Sequence, residues 1–129
     1  MAELITVYDS VEMAKRDGNE DLLAMEILMV LVVGSLPRKL SRRKLVTLVR
    51  KLAERHEIFA RYFSPKWTFD EVYDIIDAPL YLEDAFELVN YKVGLTETGE
   101  RYYEEIKCAM EPEKFYSIVK AVKEVAKDE

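Results

Sequence analysis

The sequence predicts a mainly helical protein with one short β hairpin late in the chain and an added helix at the C-terminal end. Apolar residues recur at helical spacing through most of the chain, and helix-starting residues stand at the head of those stripes. Only four Gly and four Pro punctuate 129 residues, which leaves few tight turns. With 50% of residues hydrophobic and 34% charged, the chain can bury a sizeable core, so a disordered or low-complexity tail is excluded. Residues 1–129 read as a single domain.

Near the start, Glu3–Asp9 fits a short strand or a helix entry, Ser10 suits a cap, and Asp17-Gly18-Asn19 forms a turn. A central helix follows from Asp21 to Val33, with Asn19 as its cap and Gly34 as its natural stop. Its apolar run, Leu22 to Val33, is broken only by Glu26. That run rises about 18 Å against the roughly 30 Å of a bilayer core, so it reads as a buried helix rather than a membrane span. No basic stretch leading into an apolar run marks the first residues as a leader. Cys108 is the only cysteine, so the chain makes no internal disulfide; the expectation is a cytoplasmic protein.

Ser35 to Leu40 reads as a loop, after which Ser41 caps a long helix. Leu45, Leu48, Val49, Leu52 and Phe59 form its stripe, His56 edges it, and Pro65 interrupts it. Thr68 and Glu71 fit a capping box, opening a helix with Phe69, Val72, Tyr73 and Ile76 that then meets Pro79. Between Leu80 and Asn90, residues Leu82, Ala85, Phe86, Leu88 and Val89 stand where a further helix would bury them. Tyr91 and Val93 alternate as in a strand or hairpin fragment, and Thr96 caps a helix carrying Tyr102, Tyr103 and Ile106. Pro112 suits the first position of a last helix over 112–127, striped by Phe115, Ile118, Val119, Val122 and Val125.

Charge is divided along the chain. Ile27 to Ala53 holds seven Lys or Arg and no acid, while Asp70 to Glu113 holds thirteen acids against Lys92, Arg101 and Lys107. The formal net charge of −6 opposes tight sequence-independent binding to nucleic acid, whose affinity comes from neutralising phosphates. Arg42, Arg43 and Lys44 follow the Ser41 cap, where positive charge opposes the helix dipole and an anion would reverse that small cost. Three readings follow for the basic stretch: a solvated or internally paired face, a protein-partner site, or a nucleic-acid surface.

Catalytic constellations are scarce. One His and one Cys make no zinc tetrad, and no catalytic residue, metal site or cofactor is expected. Cys108 late in a helix reads as a core or boundary residue. Asp70/Asp74 and Asp74/Asp77 share helical faces, a spacing open to acid–base or divalent-ion chemistry but more ordinary as a solvated face. Gly18, Gly34, Gly94 and Gly99 are too dispersed for a phosphate loop. Tyr91, Tyr102 and Tyr103 lie near Lys92 and Arg101, where aromatics can stack on bases or pack in a core.

Tyr91 to Ile106 resembles the closing segment of prokaryotic winged-helix domains, with Leu95, Thr96 and Gly99 matching the Leu-Thr-x-x-Gly step that leads from wing strand to helix. The resemblance covers residues 20–107 and implies a winged helix-turn-helix-like bundle. It also implies double-stranded DNA as partner and transcription regulation as role. The layout is also similar to a subgroup of small prokaryotic proteins, with Lys44-Leu45 followed by Phe59 to Phe63. Where that subgroup carries Tyr-Gly-Pro, this chain has Ser64-Pro65-Lys66-Trp67. In such domains an appended terminal helix often pairs with its symmetry mate, which implies a homodimer seam of Phe115, Ile118, Val119, Val122 and Val125. The other course folds that helix back on Leu22 to Val33.

One departure bears on function. The implied reading helix, drawn from Phe69 to Val89, holds Asp70, Glu71, Asp74, Asp77, Glu83, Asp84 and Glu87 and no Lys, Arg, Asn or Gln. Base edges are read mostly by those four residue types. The nucleic-acid or anion candidates are therefore Arg38, Lys39, Arg42, Arg43, Lys44, Arg50, Lys51 and Lys92. The alternative is a non-catalytic protein–protein interaction module that uses the acidic helices, which would take a basic protein partner, and the C-terminal helix.

Overall fold

A run that is apolar on nearly every side has to be surrounded, and the architecture is built around one. The computed structural model describes residues 25–82 and 84–127. Helix α1 (Met25–Ser35) buries every residue from Ile27 to Val33. Each such large apolar side chain contributes roughly 1.5–3 kcal/mol relative to exposure. Around α1 pack α4 (Phe69–Leu82), α5 (Glu97–Ala109) and α6 (Pro112–Ala126), together with one strand of a small sheet. The expectations for residues 3–24, among them the Ser10 and Asn19 caps, and for Glu83 lie outside the described residues.

Helix α1 does not stop at Gly34 but runs through Ser35. A Cβ at Gly34 would stand 2.7 Å from Cε2 of Tyr103, so this glycine admits a ring from α5 rather than ending the helix. The following loop also holds a feature the sequence reading passed over, the two-residue strand β1 (Leu40–Ser41). Ser41 then serves twice, as a strand residue and as the cap of α2 (Arg42–Arg55), its Oγ accepting from the Lys44 amide at 3.2 Å. Leu45, Val46, Leu48, Val49, Leu52 and Ala53 form the buried face of α2. The helix ends at His56, whose backbone is extended (φ −131, ψ 122), and a short α3 (Glu57–Ala60) restarts beyond it. The predicted long helix is thus two helices, and the break lets Phe59 and Phe63 both turn into the core.

The capping box forms as its residue types require. The Thr68 amide donates to Glu71 Oε1 at 3.1 Å and the Glu71 amide donates to Thr68 Oγ1 at 3.2 Å. Helix α4 then passes through Pro79 instead of meeting an end there. Pro79 sits in the last turn, where its missing N–H breaks a single hydrogen bond of the ladder. Among the described residues no separate helix follows α4 before Asn90. Phe86–Val89 is strand β2, joined to β3 (Lys92–Leu95) by a two-residue turn in which Asn90 (φ 53) and Tyr91 (φ 65) are both left-handed. Both central residues at positive φ make this the tight turn whose twist matches a hairpin. The sheet has order β1-β3-β2 and is antiparallel throughout, with Leu40 opposite Val93, and Leu88 opposite Val93 from the other side.

The closing step into α5 shows why Thr and Gly stand where they do. The Thr96 amide donates to the Ala85 carbonyl at 2.9 Å and its hydroxyl donates to the Asp84 carbonyl at 2.5 Å. The same hydroxyl oxygen accepts from the Gly99 amide at 3.0 Å, capping α5. A Cβ on Gly99 would run into the Ala85 carbonyl oxygen, so only glycine lets α5 lie this close to the chain entering the hairpin. Pro112 opens α6 at its first turn.

The terminal stripe is turned inward. Phe115, Ile118, Val122 and Val125 are buried against α1 and α2 of their own chain, and Val119 is half-buried. The burial that a homodimer seam would have supplied is supplied within one chain.

Candidate functional site

The first turn of α2 meets its anion inside the molecule. Phe69, Tyr73 and Asp77 recur at four-residue steps along α4 and so share one face, and that face lies against Arg42 and Arg43. Arg42 Nη1 donates to Asp77 Oδ1 at 2.9 Å, with both side chains about three-quarters buried (27% and 29% exposed). Its Cζ also stands 5.8 Å from the centroid of the Tyr73 ring, and Arg43 Cζ stands 5.5 Å from that of Phe69. The two rings are themselves stacked, 6.3 Å apart at 30°. Arginine suits such a stack because its flat, weakly hydrated guanidinium lies on a ring while its edge donates to a carboxylate. The spacing of Phe69, Tyr73 and Asp77 carried this signal in the sequence, but only the partner helix gives it meaning.

The eight basic candidates divide into groups. Arg42 is held by α4, whereas Arg43 lies over the Phe69 ring yet is exposed, as is Lys44 beside it. Lys39 approaches Glu87 to 4.0 Å with both side chains half exposed, a weak contact in water. Gly94 makes that approach possible, since a Cβ there would stand 2.6 Å from Lys39 Cε. Lys92 is exposed on β3 opposite Ser41, and Arg38 is exposed in the loop before β1. Arg50 and Lys51 are half-buried and lie about 12 Å further along α2, away from the first turn.

An open cleft of ≈ 650 Å³ lies where the end of α1, the loop after it, the hairpin and α5 meet. Arg38 and Lys39 line it together with Glu87, Glu100 and Glu104, and Tyr103 contributes to its wall. Tyr103 also packs edge-on against Phe115 at 5.7 Å and lies 3.5 Å from the buried Ser35 hydroxyl, which ties the cleft wall to the core.

The outer face of α4 is acidic, with Asp70, Glu71 and Asp74 exposed while Val72, Ile76 and Pro79 face inward. Of the paired carboxylates considered from spacing, Asp77 is committed to Arg42, and Asp70 and Asp74 share the outward face. His56 is half-buried at the helix break. Cys108 is exposed, not in the core or at its boundary, because it falls on the solvent side of the turn that buries Ile106. Of the three tyrosines, Tyr102 is core, Tyr103 lines the cleft, and Tyr91 stands 89% exposed at the hairpin tip. Among the described residues no group of three or more His, Cys, Asp or Glu is placed to hold a metal ion, and no helix is long and apolar enough to cross a membrane. Comparison with protein-family models, with curated proteins and with solved structures finds no match to this chain.

Proposed function

We propose that this chain is a non-catalytic winged-helix-type module that binds a basic segment of a protein partner on the outer face of α4. The order helix, short strand, helix, four-residue helix, helix, hairpin, with β1 added beside β3, supports the winged-helix reading. One observation carries the choice of partner. The helix in the reading position exposes Asp70, Glu71 and Asp74, and the nearest arginines lie along the flank of that face, Arg42 on Asp77 and Tyr73 and Arg43 over Phe69. A duplex would meet carboxylates there and a basic protein segment would meet complementary charge. Fold alone does not choose between these roles.

A second reading, a DNA-binding transcription regulator, draws on the same element order and on Arg38, Arg43, Lys44 and Lys92, which are exposed around β1, the start of α2 and the hairpin. The two readings respond oppositely to one variant. With Asp70→Asn/Asp74→Asn, affinity for a fluorescent lysine-rich peptide falls at least about tenfold under the protein reading. The same variant leaves duplex binding unchanged or stronger under the DNA reading. Anisotropy titrations with that peptide and with a promoter-length duplex, repeated from about 50 mM salt upward, decide it. Duplex binding that weakens with Lys44→Ala and Lys92→Ala, with no peptide binding, sinks the protein reading.

A further inference from the structure

We infer that the outer edge of β2 is a self-association surface, and that its occupant is β2 of a second copy of this chain. Leu88 at 47% exposure, Val89 at 46% and Tyr91 at 89% put three large apolar side chains in water within residues 88–91. Among the described residues β2 has one strand neighbour, β3. In a two-residue hairpin the pair that closes the turn, here Val89 and Lys92, exchanges its hydrogen bonds across the hairpin, and antiparallel pairing alternates from there. The N–H and C=O of Phe86 and Leu88 are therefore directed away from β3. Such an edge is a template for a further strand.

Charge and symmetry select the register. A two-fold axis through the sheet must pass through a residue that opposes its own copy. Centred on Glu87, it would set two carboxylates against each other in a non-hydrogen-bonded pair, where opposed side chains stand closest. Centred on Leu88, it opposes Leu88 to Leu88 of the second copy, and the two exchange their outward hydrogen bonds. Glu87 then faces Val89 of the second copy, whose neighbour across its own hairpin is Lys92. Those opposite charges lie on one face, about 10 Å apart at the backbone, a span that an extended Lys and Glu bridge, and symmetry makes the contact twice. The same register sets Asn90 opposite Phe86 of the second copy. Tyr91, held at left-handed φ and almost wholly exposed in its own chain, thereby comes beside an apolar residue. The inference is independent of whether α4 binds protein or DNA.

Sedimentation of the full chain from about 5 to about 500 µM tests it. The mass is expected to double as concentration rises, and Leu88→Lys, which sets like charges on the axis, is expected to remain monomeric with an unchanged circular dichroism spectrum. A second measurement reads the register. In a Cys108→Ser background, Leu88→Cys is expected to oxidise to a covalent dimer, because opposed hydrogen-bonded Cα atoms lie about 5.5 Å apart, within disulfide range. Lys123→Cys, on the solvent side of α6, is expected not to. A wild-type chain monomeric throughout, a Leu88→Lys chain that still dimerises, or cross-linking at position 123 as fast as at 88 overturns the proposal.

Discussion

Arg42 on the first turn of α2 and Asp77 on the third turn of α4 are joined by a 2.9 Å hydrogen bond between charged groups, with the Tyr73 ring beneath the guanidinium. Three basic residues open α2 against its dipole, and this contact brings a carboxylate to one of them. Both side chains are about three-quarters buried, so the pair is screened less than an exposed one. A double-mutant cycle with Arg42→Ala and Asp77→Ala is expected to give a coupling of about 1 kcal/mol by denaturant unfolding, smaller in about 1 M salt. Additive single effects would mean the contact holds nothing.

The glycines separate by what stands in front of them. Gly99→Ala drives a methyl into the rigid backbone at Ala85, whereas Gly94→Ala meets the flexible end of Lys39. Thermal unfolding should show Gly99→Ala losing about 2–3 kcal/mol and Gly94→Ala less than about 1. Equal losses would show that the Ala85 carbonyl moves aside.

Thr96 holds three contacts at once, two to the chain entering β2 and one capping α5. Thr96→Ala is expected to cost about 2 kcal/mol, at the upper end for a cap, and Thr96→Ser to recover most of it. Amide exchange should rise in both the hairpin and the first turn of α5 on Thr96→Ala. A rise in only one of them would break the link between the two.

Asn90-Tyr91 is a turn that glycine fits better than tyrosine, since both positions are left-handed. Tyr91→Gly should raise the unfolding free energy of the monomer by about 0.5–1 kcal/mol. Unchanged or lowered stability would show that Tyr91 makes a contact worth more than its strain.

Val122 lies fully buried between α6 and the helices it covers. Val122→Asp is expected to abolish cooperative unfolding rather than convert a dimer to a monomer, because a lone carboxylate there has no partner. A folded Val122→Asp protein of halved mass would return the seam to a subunit interface.

What the sequence disclosed and what it hid follow one physical line. Ser41, Thr68 with Glu71, Thr96 and Pro112 act within a turn of themselves, so their roles could be read from neighbours alone. Phe86–Val89 could not be read this way, because Leu82, Ala85, Phe86 and Val89 recur at helical steps and only pairing with β3 makes the last of these residues a strand. Strand β1 is two residues long and exists only through its partner. Gly34 stood where a helix stop belongs, yet it answers to a ring from α5. At the site, the basic cluster and the acidic helix were each visible. That one clasps the other through Phe69, Tyr73 and Asp77 depends on how α2 and α4 cross, which residue types alone do not state.

The pairing of Leu40 with Val93 also sets an order in time. The β2–β3 hairpin closes over two residues and can form in microseconds, while β1 reaches it only after the intervening helices have drawn a long loop shut. The third strand is thus the late arrival of a sheet whose other two are early. Leu40→Ala should therefore speed unfolding and scarcely slow folding, whereas Val93→Ala, which weakens the hairpin itself, should slow folding as well.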